Sequence, residues 1–172
     1  MLTTLNRSTI SIHFWNLAEY VGGNLVGDWT DLDACVNYDD FCAKVRKATG
    51  DAEELILGDV ESEFGITFWE YVGLDTVWKV HELLVEVHES ERQAFGDFLA
   101  YVGGVDHIEE AAKHFRDVYC GEFNSIEDYA WHFLEEQDES FEVPSGFCLE
   151  VDAVAWESDH WISSNGHVFS SY

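Results

Sequence analysis

From Asp117 to Tyr172 the chain has no lysine and no arginine, yet it carries thirteen carboxylates in 56 residues. Interleaved with them are Trp131, Trp156, Trp161, Phe123, Phe133, Phe169, Tyr119 and Tyr129. A segment this rich in aromatics can bury a core. Carboxylates without cations cannot go into that core, so they stand on its surface and repel one another. The cost is best tolerated where the negative surface is the working part.

The whole chain extends the pattern. Across 172 residues, 35 acidic groups oppose 8 basic ones, for a net charge of -27. Charge alone would suggest disorder. The 47% hydrophobic content, 15% aromatics and single proline argue for a folded chain instead. Such a surface repels nucleic acid and membrane phosphates and attracts basic surfaces. Residues 1–12 contain one arginine and no apolar core of a signal peptide, and no apolar run approaches 18 residues. A cytoplasmic protein is expected. Cys35, Cys42, Cys120 and Cys148 lack metal-ligand or paired spacing, and they read as buried free thiols.

Periodicity gives an α+β chain of three small units, 1–66, 67–109 and 110–172. In the first, Thr9 to Trp15 alternates as a strand, and Leu25 to Trp29 forms a second across a turn at Val21 to Asn24. Asn37 to Thr49 is helical and stopped by Gly50, and Leu55 to Leu57 is a short strand. The middle is helical, with Asp75, Ser90 and Asp106 as expected caps and Gly103-Gly104 as a break. The last unit has a strand at Val118 to Cys120 and a helix opened by Ser125 and Asp128. It also has an Asn165-Gly166 hairpin. Leu149 to Trp156 fits either helix or strand.

Chemistry-bearing motifs are sparse. Asp31-Leu32-Asp33 begins a calcium-loop pattern that Ala34-Cys35-Val36 breaks, and the adjacent acids Asp39-Asp40 and Asp138-Glu139 are weak cation candidates. No nucleophile elbow, zinc-protease, phosphate-loop or dinucleotide sequence is present. The reading is a non-enzymatic protein with no cofactor and no metal. Nucleic-acid binding needs Lys and Arg to neutralise phosphates, and here the sign is inverted.

The inversion points to imitation of a duplex. At one charge per about 1.7 Å of axis, 27 charges correspond to roughly 45 Å of DNA. Carboxylates one helical turn apart, such as Glu82 and Glu86 or Glu135 and Glu139, lie about 6 Å apart, near the phosphate spacing along a strand. The carboxylates assigned to this array in the first stretch are Asp28, Asp31, Asp33, Asp59, Glu61 and Glu63. In the middle they are Glu70, Asp75, Glu82, Glu86, Glu109 and Glu110. In the last they are Asp117, Glu122, Glu127, Asp128, Glu135, Glu136, Asp138, Glu139, Glu142, Glu150, Asp152, Glu157 and Asp159. The alternative is an acidic decoy or chaperone for another basic DNA- or RNA-binding protein, such as a nucleoid or CRISPR component.

The chain also resembles the ArdA antirestriction proteins of mobile elements. Asn16, Leu17, Tyr20, Gly23, Leu25, Val26, Gly27 and Trp29 are similar to that family's N-L-x-x-Y-x-x-G-x-L-V-G-x-W opening. Trp161 to Phe169 resembles its closing F-I-S-T-N-x-G-I-F strand pair, and Ser125 to Glu136 its acidic aromatic helix. Glu142-Val143-Pro144 keeps part of a further family motif. The resemblance implies an elongated rod of three parts that dimerises through its last unit, with Val118, Tyr119, Tyr129 and Phe133 expected at the interface. It further implies that the homodimer occupies the DNA-binding groove of the methyltransferase core of Type I restriction-modification enzymes in the bacterial host cell. There it would block DNA binding, cleavage and methylation.

Overall fold

A computed structural model describes residues 8–137, 144–146 and 148–171. The chain divides into two compact units, one ending at Ala112 and the other beginning at Lys113. The stretch expected as a separate middle unit packs within the first: Trp78 stacks on Phe41 at 5.7 Å between ring centroids. Among the described residues no helix is long and apolar enough to cross a membrane.

The first unit is built on β1 (Ile10–Asn16), whose alternate residues Ile10, Ile12 and Phe14 are buried. Asn16 then ends the strand by capping a short helix, α1 (Leu17–Val21), through the Glu19 N–H, at 3.2 Å. The sequence suggested a simple hairpin turn here; the Asn cap is the local signal for the extra helical turn. The chain returns as β2 (Gly27–Asp31), antiparallel to β1. Helix α2 (Tyr38–Thr49) is ended by Gly50 at φ 67°, as its sequence foretold, and Asn37 caps its start rather than lying within it. It places Phe41 and Val45 in the core. Strand β3 (Leu55–Ser62) runs well past Leu57 and pairs with the other side of β1, giving the order β2-β1-β3. The ladder shifts register between His13 and Phe14, leaving Gly58 as an extra residue in β3.

Helices α3 (Leu74–Glu86) and α4 (Arg92–Tyr101) complete the unit, and α5 (Ile108–Val118) begins in it and ends in the second. None of the three expected caps serves as one. Gly73 precedes α3, so Asp75 sits in its first turn. Ser90 and Asp106 lie inside short 3-10 turns, Glu89–Glu91 and Val105–His107, that lead into α4 and α5. Arg92 is buried, and its Nε donates to the carbonyls of Leu84 and Val87 at 3.0 and 3.2 Å, closing the end of α3. Gly96 of α4 lies so close to the Phe64 carbonyl that a Cβ there would sit 2.1 Å from its oxygen.

The second unit centres on β6 (His167–Ser170), flanked by β4 (Tyr119–Glu122) and β5 (His160–Ile162), all antiparallel. The Asn165-Gly166 turn joins β5 to β6, with Gly166 at φ 85°. Helix α6 (Ile126–Glu136) is capped by Ser125 and lays Ile126 and Tyr129 on Val168. The ambiguous stretch resolves as a short helix, α7 (Ala153–Asp159), capped by Asp152. Its Trp156 packs on Tyr129 at 5.6 Å. All four cysteines are free, but none is fully buried.

One polar link ties the start of the described chain to α3. Asp33 accepts the N–H groups of Ser8 and Thr9 at 2.8 and 2.9 Å. With its proton on Nδ1, His81 donates to Ser8 Oγ at 2.7 Å, and that hydroxyl donates to Asp33 at 3.3 Å. Burial lowers the His81 pKa below its ordinary 6.5, against the opposing pull of Asp33, Glu82 and Asp31. A lowered folded pKa means that the unfolded chain takes up the proton first as pH falls. The stability from neutral His81 is therefore present above pH 6.5 and is lost between there and the lower folded pKa. The gap in unfolding free energy between wild type and His81→Asn should shrink on acidification from about pH 7.5 to about pH 5.5 in urea titrations. A gap that is constant or widens would contradict this account.

Candidate functional site

Every assigned carboxylate among the described residues is exposed, except Asp33. Asp138, Glu139 and Glu142 lie outside the described residues, as does most of the Glu142-Val143-Pro144 motif. Asp33 is a correction. Its side chain is only 13% exposed and is spent on Ser8 and Thr9. It holds the chain together and is not offered to a partner.

In the first unit the exposed acids come from three kinds of position. Asp31, Asp59 and Glu61 stand on the solvent face of the β2-β1-β3 sheet, because they pair with Ser11 and His13, opposite the buried Ile10, Ile12 and Phe14. Asp28 lies on β2, and Glu63 and Glu70 flank the stretch between β3 and α3. Asp75, Glu82, Glu86, Glu109 and Glu110 project from α3 and α5. In the second unit Asp117 ends α5, Glu122 ends β4, and Glu127 and Asp128 open α6. Glu135 and Glu136 close α6; Glu150 precedes α7, Asp152 caps it, and Glu157 and Asp159 lie within it.

Placement at helix ends separates function from stability. Acids in a first turn suit the helix dipole, as Glu127 and Asp128 do. Glu86, Glu135 and Glu136 sit in last turns that carry no Lys or Arg, where the dipole disfavours them. A surface tuned for stability would carry Lys or Arg there.

Few cations offset the acids. Among the described residues, Lys44 pairs with Asp40 at 2.9 Å and Lys79 with Glu109. Lys44 and the Val36 N–H hold the Asp40 carboxyl below its usual range. His132 lies 3.4 Å from Glu136 and His107 lies 3.7 Å from Glu110. No group of three metal-ligating side chains comes together among the described residues.

The four residues expected at a dimer interface have separate fates. Val118 and Tyr129 are 2% and 8% exposed within the second unit's own core. Burial, and then the Cys120 thiol, raise the Tyr129 pKa. Tyr119 is half-buried, stacked 5.2 Å from Phe115 and tilted against Phe169 at 5.6 Å. Phe133 is 39% exposed and borders an apolar groove of about 360 Å³ with Ala155, Trp156, Asp159 and His160. Reasoning from the sequence found these aromatics but could not divide core from surface, because the same α6 carries both.

Composition also missed the partly exposed Trp29, Trp69 and Trp131. Each has acidic neighbours in sequence; the sheet register that sets the surroundings of Trp29 is not legible from spacing.

Compared with known proteins, residues 12–171 match the family model described as antirestriction protein (ArdA). A search among curated proteins returns no match.

The net repulsion is measurable. Raising salt from about 0.01 M to about 1 M shortens the screening length from roughly 30 Å to roughly 3 Å. The thermal midpoint should rise across that range, since the screened term is unfavourable. A midpoint that falls would mean that ion pairs outweigh repulsion.

Proposed function

The chain belongs to the ArdA antirestriction family, so it is an antirestriction protein; we propose that it works as a DNA mimic. Its carboxylates occupy the DNA-binding groove of the methyltransferase core of Type I restriction-modification enzymes, in the cytoplasm of the bacterial host cell. Blocking that groove prevents DNA binding, and with it cleavage and methylation. The observation that carries this reading is the exposure, among the described residues, of every assigned carboxylate but Asp33 on a packed chain, with no Lys or Arg from Asp117 onward. Glu82 and Glu86 illustrate the match. They stand one helical turn apart on α3, at about the phosphate spacing of a DNA strand. The field is summed over many groups, so no catalytic residue is required.

Titrating the protein into a purified Type I methyltransferase bound to DNA should displace the DNA, with potency falling steeply as salt rises. Single carboxylate-to-amide changes should each weaken displacement by no more than a few-fold, about 1 kcal/mol or less. No displacement at low salt would sink the proposal, and one amide change that abolished it would mean a localised site.

The protein is read as a homodimer joined through the second unit. Val118 and Tyr129 are consumed by the core, so Phe133 and the groove beside it are the surface left for the partner copy. Phe133→Asp should halve the mass seen by sedimentation while leaving the unit folded. A dimer that survives the change takes Phe133 out of the interface.

A further inference from the structure

The solvent face of the β2-β1-β3 sheet carries something that a purely electrostatic surface does not need. Register sets Asp31, Ser11 and Glu61 in one row across the strands, and Trp29, His13 and Asp59 in the next. Directly paired residues share a face, with side chains roughly 5 Å apart. Trp29 is 41% exposed and meets His13 edge-on at 5.4 Å. His13 in turn lies 4.1 Å from Trp15. Glycine makes this close packing possible. A Cβ on Gly58 would sit 2.4 Å from Trp15 Nε1 and 2.8 Å from His13 Nδ1.

His13 is 8% exposed, and its Nδ1 has no hydrogen-bond partner. A buried nitrogen with its capacity unused costs stability. The result is a partly exposed indole backed by His13, which in turn packs on Trp15, with carboxylates in its own row and the next. Helix α2 bounds it: Lys44 and Lys47 line a groove along the outer edge of β2 together with Trp29 and Asp31. Lys44 is already held by Asp40.

We propose that this face is a docking point for an arginine side chain of the basic partner, its guanidinium stacked on Trp29 and donating to Asp31 or Asp59. The inference rests on the reading that the partner presents a basic groove, and it names which cation the groove brings here. A carboxylate array alone attracts lysine and arginine alike. A planar, weakly hydrated guanidinium stacks on an indole and donates from its edge to flanking carboxylates, which a compact ammonium does not do as well. The docking point therefore adds a short-range stacking contact that salt weakens less than it weakens the long-range attraction.

The test uses oligo-arginine and oligo-lysine peptides of equal length, at matched ionic strength, with the full-length protein. Wild type should favour oligo-arginine by about threefold to tenfold. Trp29→Leu should bring that ratio close to one with oligo-lysine affinity unchanged, and Trp29→Phe should keep most of it. A ratio unchanged by Trp29→Leu, or absent in wild type, overturns the proposal. If Trp29→Leu fails to fold, the Trp29 indole N–H resonance of wild type decides. A shift with oligo-arginine and not with oligo-lysine supports docking, and an unmoved signal overturns it. Displacement of DNA from the methyltransferase with an unmoved Trp29 leaves the inhibitor role standing and removes this docking point. A shifted Trp29 without displacement does the reverse.

Discussion

Repulsion among carboxylates is the constraint that the rest of this protein answers. A net charge of -27 works against any compact state, and the described ion pairs are few and exposed, hence weak. What opposes the repulsion is apolar burial that does not depend on charge. The first unit buries Ile10, Ile12, Phe14, Phe41, Phe95 and Phe98 almost completely. The second closes Ile126 and Tyr129 over Val168, with Phe123 and Trp156 against them. Each fully buried side chain of this size contributes about 1.5–3 kcal/mol, and the dense use of aromatics supplies many of them on a short chain.

The same constraint explains how polar groups inside the fold are handled. Arg92 is one of only eight cations, yet it is buried and closes the end of α3 by donating to main-chain carbonyls. Among the described residues Asp33 is the one assigned acid withdrawn from the surface, and it is satisfied by two main-chain N–H groups and a hydroxyl. Both serve backbone groups that would otherwise lack partners. The remaining acids stay in water, some at helix ends where the dipole disfavours them. That distribution fits a surface kept for its partner at some cost to the fold. On the same sheet Trp29, His13 and Asp59 share a row beside Asp31 and Glu61.

Much of this was legible from residues alone. Asn37, Gly50 and Ser125 mark their helix ends because capping acts within a turn of the chain. Asn165-Gly166 marks its hairpin for a similar reason: only certain residues adopt its backbone angles easily. Where the local signal was weaker, tertiary packing overrode it. Asp75, Ser90 and Asp106 are good cap residues, but 3-10 turns and Gly73 set the starts of those helices. Strand β3 outran its apolar stretch because pairing with β1 extends a strand whose outer residues are acidic.

The sequence by itself determined the sign of the surface, the existence of a core, the mixed α+β character and the family. Charge and apolar content are sums, and caps and turns are short-range, so neither needs the chain to be folded in order to be read. Tertiary structure alone decided which acids face outward and which, like Asp33, are spent within the fold. It also packed the helices after residue 67 into the same unit as the first sheet, and it set Val118 and Tyr129 in the core while leaving Phe133 outside. It brought Trp29, His13 and Asp59 into one row as well. Those outcomes depend on pairings between residues far apart in the chain, where a one-residue shift of register turns every side chain to the other face.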